Sequence, residues 1–447
     1  MTIRDNARFQ WHPMTPPHRL QMHPPLIITQ GEGVYVTDID GRRYVDAVGG
    51  LWCVNVGHNR TEVKQAIAAQ LDQIAYYSSF DGTTTPPSIA LSRRIVEMTG
   101  EEDMARVMFS SGGSDAVETA LKLARQYWKL VGEPERTKFI SLRQAYHGVH
   151  FGGASVNGNE AFRWAYEPLM PGCFQVDTPW LYRNPWTDDP DELAGICADI
   201  LDREIAYQGA HTVAAFIAEP VQGAGGVIVP PDRYWPLVRE VCDRHGVLLI
   251  ADEVVTGFGR TGSMFGARGW GVKPDIMCLA KGLSSGYAPL GATVFNRRIE
   301  NAWAQNMGFE AAIMHGYTYS GHPVACAAAL ACLDIVETED LPANAVRQGK
   351  RLLDGLKPFA ERFPHVGEVR GKGLMVAIDL VTDKRTREPV NPADGYAYRV
   401  AELVREHGVI VRPVGTKLIL SPPLVIDHEA IDHTVSALEQ GFTAADA

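Results

Sequence analysis

The sequence predicts an α/β fold, with a large domain wrapped around a mainly parallel sheet and a smaller α+β domain drawn from both ends of the chain. Three observations carry this expectation. Strand-like apolar runs alternate with amphipathic helices through the middle of the chain. Three loops beside those runs hold residues able to do chemistry, and the texture changes after about Pro323.

In chain order, the opening MTIRDNARFQWHPMTPPHRLQMHPP has no apolar core of the kind a secretion signal needs, and its prolines argue for an extended arm. The stretch IITQGEGVYVTDIDGRRYVDA alternates as a small antiparallel sheet that should join the second domain. RVMFS then leads into a helix from about Asp115, whose Val117, Ala120, Leu121, Ala124 and Trp128 recur at helical spacing and so face inward together. KFISL, TVAAFIAEP, VLLIADE and DIMCLAKG continue the strand series. Beyond Pro323 come an Ala-rich helix (VACAAALACLDIVE), a charged helix and the short strands GLMVAIDL, VIVRPV and KLILSPPL. The expected organisation is an arm and small-domain segment over 1–55, a large domain over 56–323 and a C-terminal small domain over 324–447.

Composition excludes several functions. The chain has 447 residues, 45% hydrophobic and 21% charged, with no long apolar run of transmembrane character, so no membrane role is expected. Lys and Arg total 42 against 53 Asp and Glu, a net charge of −11. That sign opposes binding along nucleic acid and favours small-molecule chemistry. The cysteines are scattered and odd in number, with no C-x-x-C pair, which fits a reducing, cytoplasmic compartment.

Three constellations could carry chemistry. S-S-G-G-S-D-A at 110–116 puts small residues between a strand and a helix start, where free backbone N–H groups and the helix dipole attract an anion. Gly112 and Gly113 allow close backbone approach and Ser114 adds a hydroxyl; the plainer alternative is a tight turn in which Asp115 caps the helix and Glu118 completes a capping box. VLLIADEVVTGFGRTG ends an apolar strand in Asp252 and Glu253, where side chains face a site beyond the strand ends, or else serve a cap or ion pair. GFGRTG matches the G-x-G-x-x-G dinucleotide pattern by letter, but residues intervene after the strand and the following segment lacks helical character, so a Rossmann reading is rejected. DIMCLAKGLSSGYAPLGATVF places Lys281 after another apolar strand, where desolvation frees an amine to attack a carbonyl. One ligand accounts for all three. The phosphate of pyridoxal 5'-phosphate (PLP) needs the cradle, its aldehyde the amine, and its ring nitrogen a carboxylate.

AEPVQGAGG, ADEVVTGFGRTG and LAKGLSSGYAPLGA resemble the class III aminotransferases, PLP enzymes of fold type I, over about Gly31 to Leu424. GGLWCVNVGH, AYHGVHFGG and GYTYSGHPVACA resemble the branch that joins ω-amino acids or amines to pyruvate. The resemblance implies that Lys281 forms the Schiff base with the cofactor and then shuttles the proton, and that Asp252 pairs with the ring nitrogen. It also implies that Tyr146 and Val254 flank the ring, that Gly113 and Ser114 hold the phosphate, and that Thr318 reaches it from a partner subunit, so that a homodimer shares its active sites. Such dimers would stand alone or pair into a tetramer. Glu219 matches the family's acidic position near the cofactor, or serves a structural hydrogen-bond network. Trp52, Phe80 and Tyr146 are implied as aromatic walls of the substrate pocket, Ala224 as its small floor and Arg412 as a movable arginine that receives a carboxylate; for Arg412 a structural ion pair is the alternative. The phosphate loop departs from the family's usual S-G-S-E or S-G-T-E, and Pro413 biases Arg412 toward extended backbone.

The expected activity is a ping-pong transfer of an amino group to pyruvate, between a small-molecule donor and a keto acid acceptor. An aminomutase or decarboxylase would use the same cradle, aspartate and lysine. A PLP-sensing regulator would need an added DNA-binding domain and a basic surface.

Overall fold

The computed structural model describes residue 3, residues 7–22 and residues 24–447. Its centre is a seven-stranded sheet: β1 (Met104–Ser110), β2 (Lys138–Leu142), β3 (Cys173–Val176), β4 (Val213–Ala218), β5 (Leu248–Asp252), β6 (Ile276–Leu279) and β7 (Gly291–Asn296), in the order β1-β7-β6-β5-β4-β2-β3. Six strands run the same way and β7 runs against both neighbours. Every residue of β4, β5 and β6 is buried, because helices cover both faces of a parallel sheet. These are the runs whose apolar character is unbroken in the sequence.

Helix α1 (Gly113–Leu130) follows β1 and buries Val117, Ala120, Leu121, Ala124 and Trp128 against the sheet, the face expected from spacing. It begins two residues before Asp115, and Gly112 precedes it with no side-chain cap. The capping-box alternative therefore fails. Asp115 lies inside the first turn, where its Oδ2 accepts the Ser111 N–H at 2.9 Å, and Glu118 accepts the Gly153 N–H at 3.3 Å. Between β5 and β6 the chain crosses without an α-helix, through a loop and the short 3₁₀ turn Ala267–Trp270.

A second core joins both ends of the chain. Strands Ile28–Glu32, Tyr35–Asp38 and Arg43–Asp46 form an antiparallel meander, and Val409–Ile410 adds to its edge in parallel with Arg43–Asp46. VIVRPV, which reads as one strand, is two. The chain leaves this sheet at Val411 and enters a five-stranded one as Arg412–Val414, pairing with Lys417–Leu420 beside Met375–Asp383. The N-terminal arm also departs from expectation, with a 3₁₀ turn at Ala7–Phe9 and a helix at Pro17–Met22 in place of extended chain. Pro17 starts that helix, a position where its missing N–H costs nothing. Helix α2 (Pro323–Thr338) buries Ala325, Ala329 and Leu333 against the sheet side, and Ala328, Cys332 and Val336 in the second core.

Candidate active site

The site lies where β1, β2, β4, β5 and β6 all end on the same edge of the sheet, so the loops leaving them converge by construction. Asp252 is the last residue of β5 and is buried; its Oδ2 stands 2.8 Å from His147 Nδ1 and its Oδ1 accepts the Val254 N–H at 3.1 Å. His147 is held in turn, its N–H donated to Asn157 Oδ1 at 2.5 Å, while its buried Nε2 has no partner among the described residues. The adjacent Glu253 points away from this group. Its oxygens take the Thr256 hydroxyl and the Gly266 and Ala267 N–H groups, so of the two strand-end carboxylates only Asp252 serves the site.

Lys281 opens a 3₁₀ turn (Lys281–Leu283) after β6, with φ of +46°, a backbone region that a non-glycine residue occupies only when its surroundings hold it there. Its amine makes no hydrogen bond among the described residues. Burial pushes its pKa down from the ordinary lysine range, against the opposing pull of Asp252 and Glu219, which favours the neutral, nucleophilic amine relative to an exposed lysine. Glu219, just past β4, is buried and accepts the Tyr146 N–H on Oε1 at 3.0 Å and the Gly223 N–H on Oε2 at 2.7 Å. The hydrogen-bond network is thus what the structure shows for it, and desolvation raises its pKa to about 7.

The loop at 110–116 leads straight into a helix start. Gly113 starts α1 with its first N–H groups uncapped by any side chain, and a Cβ there would come within 2.8 Å of Val254 Cγ1. Val254 thus seals one side of the cradle. Ser114 Oγ accepts the Val149 N–H at 3.2 Å, which leaves its hydroxyl hydrogen free for an anion. Uncapped N–H groups, that hydroxyl, the buried Asp252 and the unbonded Lys281 amine fit PLP: Gly112, Gly113 and Ser114 would hold its phosphate and Asp252 its ring nitrogen.

Trp52, Ala224, Tyr146 and Arg412, expected around the substrate, are held as follows. Asp46 accepts the Val48 N–H on Oδ1 at 3.2 Å and the Gly50 N–H on Oδ2 at 2.7 Å, with His58 Nε2 2.9 Å from the same Oδ2, and so shapes the turn that delivers Trp52. The indole lies on Gly223, where a Cβ would stand 2.3 Å from Cζ3, and its buried Nε1 is unpartnered among the described residues. Ala224 follows Gly223 and is half-buried. Arg412 is half-buried near Tyr146 and Tyr398, and among the described residues no carboxylate pairs with it. Pro413 follows it in the same strand, and the backbone is extended as expected.

Among the described residues, Phe80 and Thr318 have their contacts outside this group. Phe80 is exposed against Gly316 and lines a broad groove with Met108, Lys122 and His315; the Thr318 carbonyl accepts the Tyr76 hydroxyl at 2.6 Å. His315 and Tyr317 fasten this segment to the flank of α1 through the Thr119 hydroxyl at 2.8 Å and the Asp115 carbonyl at 3.1 Å. Among the described residues nothing bonds it to Lys281, Tyr146 or Arg412. His147 is the site residue that sequence reasoning missed, although it stands beside Tyr146 in AYHGVHFGG.

Residues 17–442 match the family model described as aminotransferase class-III. A putrescine–pyruvate aminotransferase of Pseudomonas aeruginosa is 41% identical over 414 residues, 92% of this chain and 89% of that protein. A diaminobutyrate–2-oxoglutarate transaminase of Halomonas elongata is 39% identical over 93% of this chain and 90% of its own length. Among solved structures, an amine transaminase from an uncultivated Pseudomonas species, in its PLP-bound form, superposes with a TM-score of 0.96 at 61% identity over 98% of both chains.

Proposed function

The chain belongs to the class III aminotransferases, and on that premise we propose that it moves an amino group from an ω-amino acid or primary amine to pyruvate, in two half-reactions of a ping-pong sequence. As a family member it is a PLP-dependent enzyme acting on a small-molecule amino donor and a keto acid acceptor. When bound, PLP supplies an aldehyde that takes the amino group and a ring that accepts the electron pair left when the donor carbon loses its proton.

The chain's own residues do the rest. Lys281 provides the attachment point, and its amine, shifted toward its neutral form by burial, carries the proton from the donor carbon and returns it as the amino group changes hands. Asp252, fixed by His147 and the Val254 N–H, holds a proton at the ring nitrogen. Gly112, Gly113 and Ser114 would bind its phosphate, and Tyr146 and Val254 would flank its ring. Phe80 and Thr318 stand apart from the Lys281 of their own chain, which supports a homodimer in which each subunit lends that segment to the other's site. All seven cysteines are free, in keeping with a cytoplasmic setting.

Arg412 is the observation that carries the substrate reading. A half-buried guanidinium that no carboxylate pairs with among the described residues, beside Tyr146 and Lys281, is ready to take a substrate carboxylate through its planar fork. Arg412→Ala should lower kcat/KM for pyruvate and β-alanine by about 10²- to 10³-fold, the loss of a bidentate charged contact, while an aryl amine donor changes far less. Equal losses on both would mark Arg412 as structural. A donor panel with pyruvate and 2-oxoglutarate competing, read as alanine against glutamate, tests the acceptor; glutamate as the main product refutes pyruvate.

A further inference from the structure

The GFGRTG segment opens no α-helix, yet its arginine is among the most buried side chains of the protein. Arg260 is fully enclosed, and no carboxylate pairs with it among the described residues. Burial lowers its pKa to about 9, so it remains a cation at neutral pH. Its Nη2 donates to Asn55 Oδ1 at 2.8 Å, and its Nη1 donates to the Pro422 carbonyl and, at 3.3 Å, to that of Leu374. Three segments distant in the sequence thus meet on one guanidinium. A lysine, a single point charge, cannot reproduce that spread of donors.

The next link leads to the active lysine. Asn55 is buried, and its Nδ2 donates to the Phe258 carbonyl at 3.0 Å, so both ends of the carboxamide are fixed. Gly282 rests on that carboxamide. A Cβ at 282 would stand 2.4 Å from Asn55 Nδ2 and 3.2 Å from Phe258 Cβ. The neighbouring Val56 N–H donates to Ser285 Oγ at 3.0 Å, so the Cys53–Val56 strand of chain templates the turn that begins at Lys281, in which both Lys281 and Ser285 have positive φ. We infer that Arg260 is a positioning residue for Lys281, acting through the carboxamide of Asn55 and its contact with Gly282.

The inference rests on Lys281 being the attachment lysine, and the test separates the two. Apoprotein is mixed with PLP, the lysine link is trapped with borohydride at timed intervals and mapped by mass spectrometry, and affinity for pyridoxamine phosphate, which cannot form that link, is measured in parallel. Wild type should be trapped at Lys281. In Asn55→Ala and Arg260→Lys the trapping rate should fall by about tenfold or more, the effect of one lost hydrogen bond to a charged group, while pyridoxamine phosphate affinity stays within about twofold. Asn55→Ala leaves the guanidinium its two carbonyl partners and so keeps the test usable if Arg260→Lys does not fold. Gly282→Ala should slow trapping as well, and Asn55→Ala/Gly282→Ala should be no slower than Gly282→Ala alone, because the first change opens the space that the second fills. Trapping at another lysine in wild type overturns this inference together with the reading of Lys281. Trapping and pyridoxamine phosphate affinity falling together, or additive losses in the double variant, overturn this inference alone.

Discussion

Replacing Glu219 with Gln tests how the site is held together. The carboxylate gives one oxygen to the Tyr146 N–H and the other to the Gly223 N–H, and so joins the loop that carries Tyr146 to the loop that carries Gly223 and Ala224. A carboxamide of the same shape has a single acceptor oxygen. One buried N–H therefore faces an NH₂ group, at a cost of about 1–3 kcal/mol, and kcat/KM should fall by roughly 10- to 100-fold as Tyr146 or Gly223 shifts. Stability should respond to pH as well. The Glu219 carboxyl titrates at about 7 in the folded protein against an ordinary value of 4.5. A carboxyl whose folded pKa is raised contributes stability that is complete below the unfolded value and lost as pH climbs through the folded one. Wild type therefore forfeits up to about 3 kcal/mol between pH 4.5 and just above 7 through this residue, and Glu219→Gln does not. Thermal melts of the two apoproteins from pH 5 to pH 9 should show wild type losing stability relative to the variant as pH rises from 5 to 8, and no further change above that. A difference between the two that keeps its size across the range would mean that Glu219 is not buried as an uncompensated carboxyl, and the argument would fail.

Other outcomes follow from single contacts. Gly113→Ala drives a Cβ to within 2.8 Å of Val254 Cγ1 and should weaken PLP binding by about tenfold; adding Val254→Ala should restore part of it in an equilibrium titration. Gly223→Ala meets the Trp52 ring at 2.3 Å, so bulky aryl amine donors should change in KM far more than small alkyl amines, which a donor series reads directly. Mixing a Lys281→Met chain with a Thr318→Ala chain should give hybrid dimers with more activity than Thr318→Ala alone, because one of their two sites then pairs an intact Lys281 with an intact Thr318; no gain on mixing would refute the shared site.

Much of this arrangement is legible in the sequence because apolar runs and strand ends are local signals. KFISL is β2 residue for residue, and Asp252 lies at the end of its strand as VLLIADE indicates. What escapes is decided by distant partners. Nothing in VIVRPV marks Val411 as the point where one chain serves two sheets, since both halves are apolar enough for either. Asp115 has the right spacing to Glu118 for a capping box, but the glycines before it let the helix begin earlier and turn the carboxylate back to Ser111. His147 is a single letter in a motif until the fold sets it 2.8 Å from Asp252. Phe80 and Thr318 read as pocket residues, but the contacts they make, with Gly316 and Tyr76, come from segments that nothing in the local sequence ties to them.

The meander that carries Asp46, Trp52 and Asn55 takes its last strand from Val409–Ile410, and Ala47 accepts the Ser421 N–H at 2.7 Å. A ribosome delivers those partners hundreds of residues after the meander itself. The central sheet, confined to 104–296, has all its strands in hand long before then. The loop at 110–116 and Asp252 can thus take shape on a nascent chain while Trp52 and Asn55 still wait for their neighbours, a delay of the kind that long-range pairing imposes on folding. The proposed site then forms in two stages, its sheet-end loops first and the turn that carries Trp52 last.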